Sequence, residues 1–393
     1  MSIKITPNLY CYSMPSFYVN PSRQKNNIET NNNKPLTNSI SFQSIYMPKS
    51  DYILGELKND IRIIDVNSVT NALNPGSSVW QPCSQNQRTD FNNNSLHINE
   101  EFDNFRQGKR GDCYLLSSIY SLNQTQNGPK LLKKNIEYNK DGSVTITLPG
   151  AIIAKKGYEE EGNGNRCSIT GKYTITKEAL DKAKRLSGKS YAYGDIEVVI
   201  FELAMESYRA EVMRTNKALN QKPELYIPGQ MCGRKSDDPL SGGQMYDAIY
   251  ILTGKKSEIY VAPKTKKVKP YIQGEYGFVG QQKNTKYLKK SALIKSRKDE
   301  KEVTNVYNKE SDLQKMLDKY AGKEKEYSIT AGVVNGQKAP DGTTKIGGGH
   351  AIVVTKITDV FVEVVNPWDT TKKECIPRAD FEKMAINLSV AKI

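Results

Sequence analysis

The hydrophobic pattern of this chain changes character along its length. Between residues 113 and 252 apolar positions recur mostly at helical spacing. Leu115, Leu116, Ile119 and Leu122 share one face of a predicted helix that starts at Cys113, with Asp112 placed to cap it. Residues 198–208 and 245–252 also read as helices. Residues 143–148 alternate and 151–154 are apolar, so both read as short strands after an Asp141-Gly142 turn. The acidic stretch 159–165 reads as a solvated loop. Farther on, strand patterns dominate. Ser311-Asp312-Leu313-Gln314 opens one more helix with a capping-box pattern, its apolar side being Leu313, Met316, Leu317 and Tyr320. Residues 328–334 form a strand, and 351–355 and 360–365 flank a polar break as a hairpin. Folded about the 358–359 midpoint, that hairpin sets His350 opposite Pro367 and beside Asn366. The fold class is α+β, helices first and strands last, with a cleft between the halves.

The front of the chain follows neither pattern. Hydrophobic residues make up 37% of the sequence, below the usual globular share, and the deficit is concentrated in a front rich in Asn, Ser, Pro and Gln. Such a segment cannot bury enough surface to offset its ordering entropy. The division predicted is a polar, partly disordered segment over 1–95, a helical lobe over 96–255 and a β-rich lobe over 256–393. No charged-then-apolar secretory pattern follows Met1, and no apolar run is long enough to span a bilayer.

The candidate chemistry sits where the first helix begins. In Gln107-Gly108-Lys109-Arg110-Gly111-Asp112-Cys113 a cysteine stands at a loop-to-helix turn, with glycines that let the loop curl and a glutamine six residues earlier. A helix start favours thiolate over thiol. The Gln107 amide beside the Cys113 N–H is able to form an oxyanion hole. A thiol nucleophile needs a base, and the chain holds two histidines, His97 and His350. His97 lies in a polar stretch with nothing to orient it. His350 follows Gly347-Gly348-Gly349, and the hairpin brings Asn366 to it; a carboxamide on one ring nitrogen would leave the other facing Cys113. That is the Cys-His-Asn form of the nucleophile–base–orienter triad.

These residues resemble the calpain-type cysteine proteases, whose papain-like core is split into two lobes. The cysteine motif is Gln107-Gly108-x-x-Gly111-Asp112-Cys113, and Gly349-His350-Ala351 and Asn366-Pro367-Trp368 resemble the second and third signatures. Leu240-Ser241-Gly242-Gly243 is similar to the segment closing the first lobe, and Asp380-Phe381 with Ile386-Asn387-Leu388 to the strand ending the second. The resemblance spans about residues 100 to 393. It implies Cys113 as nucleophile, His350 as base and then acid, Asn366 as its orienter and Gln107 as an oxyanion donor. Gly111, Asp112, Gly242, Gly243 and Gly349 would shape the cleft, and Trp368 would shield the His–Asn pair. Tyr114 stands where the family usually has tryptophan. Glu202 matches one carboxylate of the animal enzymes, but their calcium-binding acidic stretches are not recognisable, so no metal or other cofactor is called for and calcium control is unsupported.

The partners implied are protein substrates. The same triad would equally serve a deamidase or an acyl transferase. The six cysteines are dispersed without metal-type spacing, and a catalytic thiol works in a cytoplasmic or other reducing compartment. The polar front without a secretory signal also fits export into another cell by a non-classical route. The formal charge is +14. Residues 255–301 carry fourteen basic residues against four acidic ones, a composition that suits a solvated insertion or, in a catalytically idle scaffold, contact with nucleic acid or anionic membrane.

Overall fold

Helix α1 (Cys113–Asn123) forms where the sequence predicts it, but it is enclosed from Tyr114 to Leu122 rather than on one face. A helix buried all round must satisfy every polar group it carries. Ser118 Oγ donates to the Tyr114 carbonyl (2.7 Å) and Ser121 Oγ to the Ser118 carbonyl (3.0 Å). Ser117 Oγ reaches out of the helix to the Ala351 carbonyl (2.9 Å). The Asp112 side chain makes no cap bond; Leu115 and Leu116 N–H donate instead to its backbone carbonyl (2.8 and 3.1 Å).

The computed structural model describes residues 61–69, 102–151, 171–218, 229, 238–263, 266–276, 288–289, 304–338 and 343–393. All belong to one compact unit; a second unit, Pro15–Asp60, lies outside the described residues, as do His97, the 159–165 loop and most of the polar front. The architecture is α+β. Its earlier part also holds α2 (Gly128–Lys134), α3 (Lys177–Arg185), α4 (Ile196–Ala218) and α5 (Met245–Thr253). A four-stranded sheet accompanies them in the order β1 (Ile61–Ile64), β5 (Lys172–Ile175), β4 (Val144–Thr147), β3 (Ile136–Tyr138). Thr176 caps α3 by accepting from the Ala179 N–H (3.2 Å). Gly254 ends α5 at φ +70°, a left-handed conformation that suits glycine. Ala151, expected in a strand, is helical: Pro149 opens that turn, where its missing N–H costs nothing. Residues 152–154 are outside the described set.

The second sheet has seven strands in the order β10 (Thr304–Tyr307), β7 (Ser257–Val261), β15 (Ala385–Lys392), β11 (Tyr327–Lys338), β12 (Thr344–Ile357), β13 (Phe361–Asn366), β14 (Asp369–Pro377). Its one parallel pair is β10–β7. Two short pairs join β2 (Phe105–Arg106) to β6 (Tyr193–Gly194) and β8 (Lys267–Val268) to β9 (Leu288–Lys289). Strand β12 is buried on both faces. Ala351 and Val353 join the core around α1, while Ile352 and Val354 join a second core with Leu313, Met316 and Leu317 of α6 (Glu310–Tyr320) and Phe381 and Met384 of α7 (Arg378–Met384). The period of two in the sequence is thus the sharing of one strand between two cores. Among the described residues no helix is long and apolar enough to cross a membrane.

Three details differ from the sequence reading. Helix α6 starts at Glu310, because Asp312 reaches back to accept from the Lys309 N–H (2.9 Å). The β12–β13 hairpin turns later than expected: Thr358 N–H donates to the Phe361 carbonyl (2.9 Å). Val353 pairs with Val365 and Ile357 with Val362, with a bulge between Val354 and Lys356. The basic stretch is not simply solvated. Lys266 is buried with its ammonium on the Ala385 carbonyl (2.7 Å), and Lys269 is buried in an ion pair with Asp380 (2.8 Å).

Candidate functional site

The residues that end β13 and begin β14 hold the first half of the site. Asn366 Oδ1 lies 2.9 Å from His350 Nε2 and accepts from the Trp368 N–H (3.0 Å). The Trp368 ring lies against His350, with ring centroids 4.4 Å apart and planes inclined at 35°. An amide oxygen can only accept, so His350 Nε2 carries the proton and Nδ1 keeps its lone pair. Tyr271 lies on another side of the ring, its centroid 6.5 Å away and nearly parallel. Burial pushes His350 down to about 4, opposed by the bond to Asn366, so the lone imidazole is neutral at pH 7.

The second half is the loop that leads into α1, and it is stitched to the first. Gln107 N–H donates to the Pro367 carbonyl (2.8 Å), next to Asn366. Thr370 Oγ1 accepts from the Phe105 N–H (3.0 Å) and lies 2.7 Å from both the Asp103 and Phe105 carbonyls. Gln107 Nε2 donates to the Arg110 carbonyl (2.7 Å), which holds the amide inside the loop and leaves it a second N–H. Gly108 has no room for a side chain, since a Cβ there would come within 2.4 Å of the Tyr191 carbonyl oxygen.

Cys113 is half-buried at the first position of α1 and carries a thiol, not a disulfide. Ser117 is one turn farther on the same helix face, and its hydroxyl bonds the carbonyl of the residue after His350. The helix face that carries the thiol therefore abuts the histidine strand one residue past His350. His350, Asn366 and Trp368 come together, Gln107 is joined to them through the Pro367 carbonyl, and Cys113 begins the helix that is bonded to the histidine strand through Ser117. No protein-family model matches the chain, and no curated protein matches it significantly.

Gly111, Gly242 and Gly243 form the neighbouring wall. Gly111 N–H donates to Ser241 Oγ (3.2 Å), and Gly242 N–H donates to the Gly111 carbonyl (2.8 Å). Gly243 lies flat on the Tyr114 ring, where a Cβ would come within 2.5 Å. Arg209 fixes this wall from behind, donating to Tyr114 OH (2.7 Å) and to the Leu240 (2.9 Å) and Gly242 carbonyls. Burial pushes the Tyr114 phenol up to about 12, so it stays protonated. Gly349, ahead of His350, is exposed.

Sequence reasoning assigned Asp112 to the helix cap; the structure gives it another place. Its carboxyl is buried beside Glu202, whose oxygens accept from the Ala192 N–H (3.1 and 2.9 Å). Burial pushes Asp112 up to about 6, and burial with the Asp112 charge raises Glu202 well above the carboxylate range. Among the described residues no group of three or more His, Cys, Asp or Glu side chains is placed to hold a metal ion. Residues the sequence reading did not single out include Arg209, Ser117, Tyr271 and Glu374. None belongs to a short motif: Ser117 lies one turn past Cys113 on α1, and the other three are brought in by packing from distant elements.

A direct prediction concerns His350. In a Cys113→Ala variant, NMR titration is expected to find this imidazole neutral down to about pH 4. Its folded value lies below the ordinary 6.5, so the stability is whole above pH 6.5 and is lost as pH falls toward 4, by roughly 3 kcal/mol in all. A ring titrating at 6.5 or higher would contradict the burial argument.

Proposed function

We propose that this chain is a cysteine endopeptidase of the calpain-like type on a two-lobed papain-like core. The observation that carries the reading is the junction of a Cys113-headed helix with an oriented His350–Asn366 pair, tied by the Ser117–Ala351 bond. Cys113 Sγ gives its proton to His350 Nδ1 and attacks a peptide carbonyl carbon. The oxyanion takes hydrogen bonds from the Cys113 N–H and the second N–H of Gln107 Nε2. The imidazolium then protonates the leaving amine as the C–N bond breaks, which leaves a thioester on Cys113. Water, deprotonated by His350, attacks the thioester; a carboxylic acid leaves and the thiol is restored. The His350 ring is neutral when alone, so the imidazolium depends on the adjacent thiolate.

The test is a proteome-wide comparison of new N-termini after treatment with wild type and with Cys113→Ala. New termini with wild type, absent with the variant, are expected. Equal termini with both would refute nucleophilic attack by Cys113. A one-dalton mass gain on substrates, or a new cross-link without cleavage, would replace the peptidase by a deamidase or an acyl transferase with the same thioester.

A further inference from the structure

We propose that Tyr271 and Glu374 are positioning residues that fix the tautomer of His350 through Asn366; the proposal rests on the protease reading above. The four side chains form a chain of hydrogen bonds through the protein interior. Asn366 Nδ2 donates to Tyr271 OH (3.4 Å), and Tyr271 OH donates to Glu374 Oε1 (3.2 Å). All four residues are buried. They come from separate places in the chain: Tyr271 from the segment after β8, Glu374 from β14, Asn366 from the end of β13 and His350 from β12.

The direction of each bond follows from its terminus. Glu374 Oε1 accepts from the Gly274 N–H as well, so it stands as the acceptor at the end of the chain and the Tyr271 proton points at it. The phenol oxygen then offers its lone pairs to Asn366, and only the NH2 end of the carboxamide can use them. That turns Oδ1 toward His350 and the Trp368 N–H. A flipped amide would set NH2 against the Trp368 donor and waste the phenol lone pair. It would also require His350 Nε2 to accept, moving the ring proton to Nδ1, where it would block proton transfer from Cys113. The chain from Glu374 to Nδ1 thus keeps the base unprotonated on the side that faces the thiol.

The frame that holds the relay is rigid. Tyr271 N–H donates to the Val334 carbonyl (2.8 Å), and Gly336 N–H donates to the Tyr271 carbonyl (2.7 Å), so both backbone groups of Tyr271 are locked on β11. Glu374 Oε1 also accepts from the Gly274 N–H (3.3 Å). Burial raises Glu374 above the ordinary carboxylate value, while the Gly274 N–H, the Tyr271 hydroxyl and the charge of Lys372 hold it down. Burial beside Glu374 also keeps the Tyr271 phenol protonated far into the alkaline range. A structural tyrosine would need only its ring in the core; here its hydroxyl is aimed between a carboxylate and the orienter of the base.

The test is the rate of Cys113 alkylation by iodoacetamide against pH, which reads the thiolate and needs no substrate. Tyr271→Phe keeps the ring and removes the relay. We expect it to slow alkylation at pH 7 about tenfold and move the rate profile to higher pH, with kcat reduced and KM unchanged. The same substitution in an Asn366→Ala background should add nothing, because the relay acts only through that amide. Glu374→Gln, which keeps an acceptor, should recover most of the rate, whereas Glu374→Leu should behave like Tyr271→Phe. Equal effects of Tyr271→Phe in both backgrounds, or a wild-type profile in the single variant, would overturn the relay and leave the protease reading intact. A wild-type Cys113 with the profile of an ordinary thiol, unmoved by His350→Ala, would overturn both.

Discussion

Replacing His350 by alanine is expected to lower peptide hydrolysis about 10⁴-fold while the protein still folds. On the protease reading the size follows from two tasks the ring would perform: it would take the thiol proton and later protonate the leaving amine. Asn366→Ala should cost less, on the order of 10²-fold, because the Trp368 ring still packs on His350 and restrains it. Gln107→Ala should cost on the order of 10²-fold as well, through loss of one oxyanion donor. The double variant Cys113→Ala/His350→Ala should be no worse than Cys113→Ala alone, since the two groups act as one unit. Turnover measured on a generic unfolded substrate checks all four. A His350→Ala enzyme within tenfold of wild type would refute the triad.

Much of this site was legible because several of its members stand where the sequence pattern changes. A cysteine beginning an amphipathic run and a histidine beginning a β-branched run are visible to a period count, and the hairpin fixes which asparagine reaches the histidine. The register was off by one to two residues because Thr355 is bulged and the turn closes at Phe361. The contact survived: Asn366 needs only to lie near the strand end, which a long polar side chain tolerates. The complete enclosure of α1 was not legible, because serines count as polar in a pattern while Ser117, Ser118 and Ser121 are satisfied by carbonyls. Asp112 looked like a cap since caps are local, and its true neighbour, Glu202, is ninety residues away. Lys266 and Lys269 looked like members of a solvated charge run; what buries them is a carbonyl in β15 and a carboxylate in α7. Nothing in spacing announces long-range pairs of this kind. Arg110 shows the same limit inside the most informative motif of the chain.

Arg110→Met is expected to be the most destabilising single change near the site. Its guanidinium is out of solvent and clamps Glu206 with two bonds of 2.8 Å while also bonding Asp238. Those two acids come from α4 and from the segment before α5, so one side chain ties two distant parts of the chain to the loop that leads to Cys113. Asp238 in turn accepts from Ser241 Oγ (2.5 Å) beside Gly242, and Glu206 accepts from Tyr191 OH (2.8 Å). Removing the cation leaves two buried carboxylates with neutral donors to oppose their charge. Breaking a buried ion pair from one side costs about 3–5 kcal/mol, a large share of a typical folding free energy. The pH dependence supplies the sign. In the wild type, burial raises Asp238 but Arg110 outweighs it and holds the carboxyl below its ordinary value. That contribution is present above the ordinary carboxylate pKa and is lost as pH falls through the folded value. In Arg110→Met the burial cost on Asp238 is opposed by Ser241 and the Leu240 N–H without the guanidinium, so its folded carboxyl is expected to titrate above its unfolded value. Its contribution is then present at low pH and is lost as pH rises. Denaturant unfolding at pH 5 and pH 7.5 should therefore find the variant's deficit smaller at pH 5. An equal deficit at both values would mean that Arg110 stabilises the loop by packing rather than by charge.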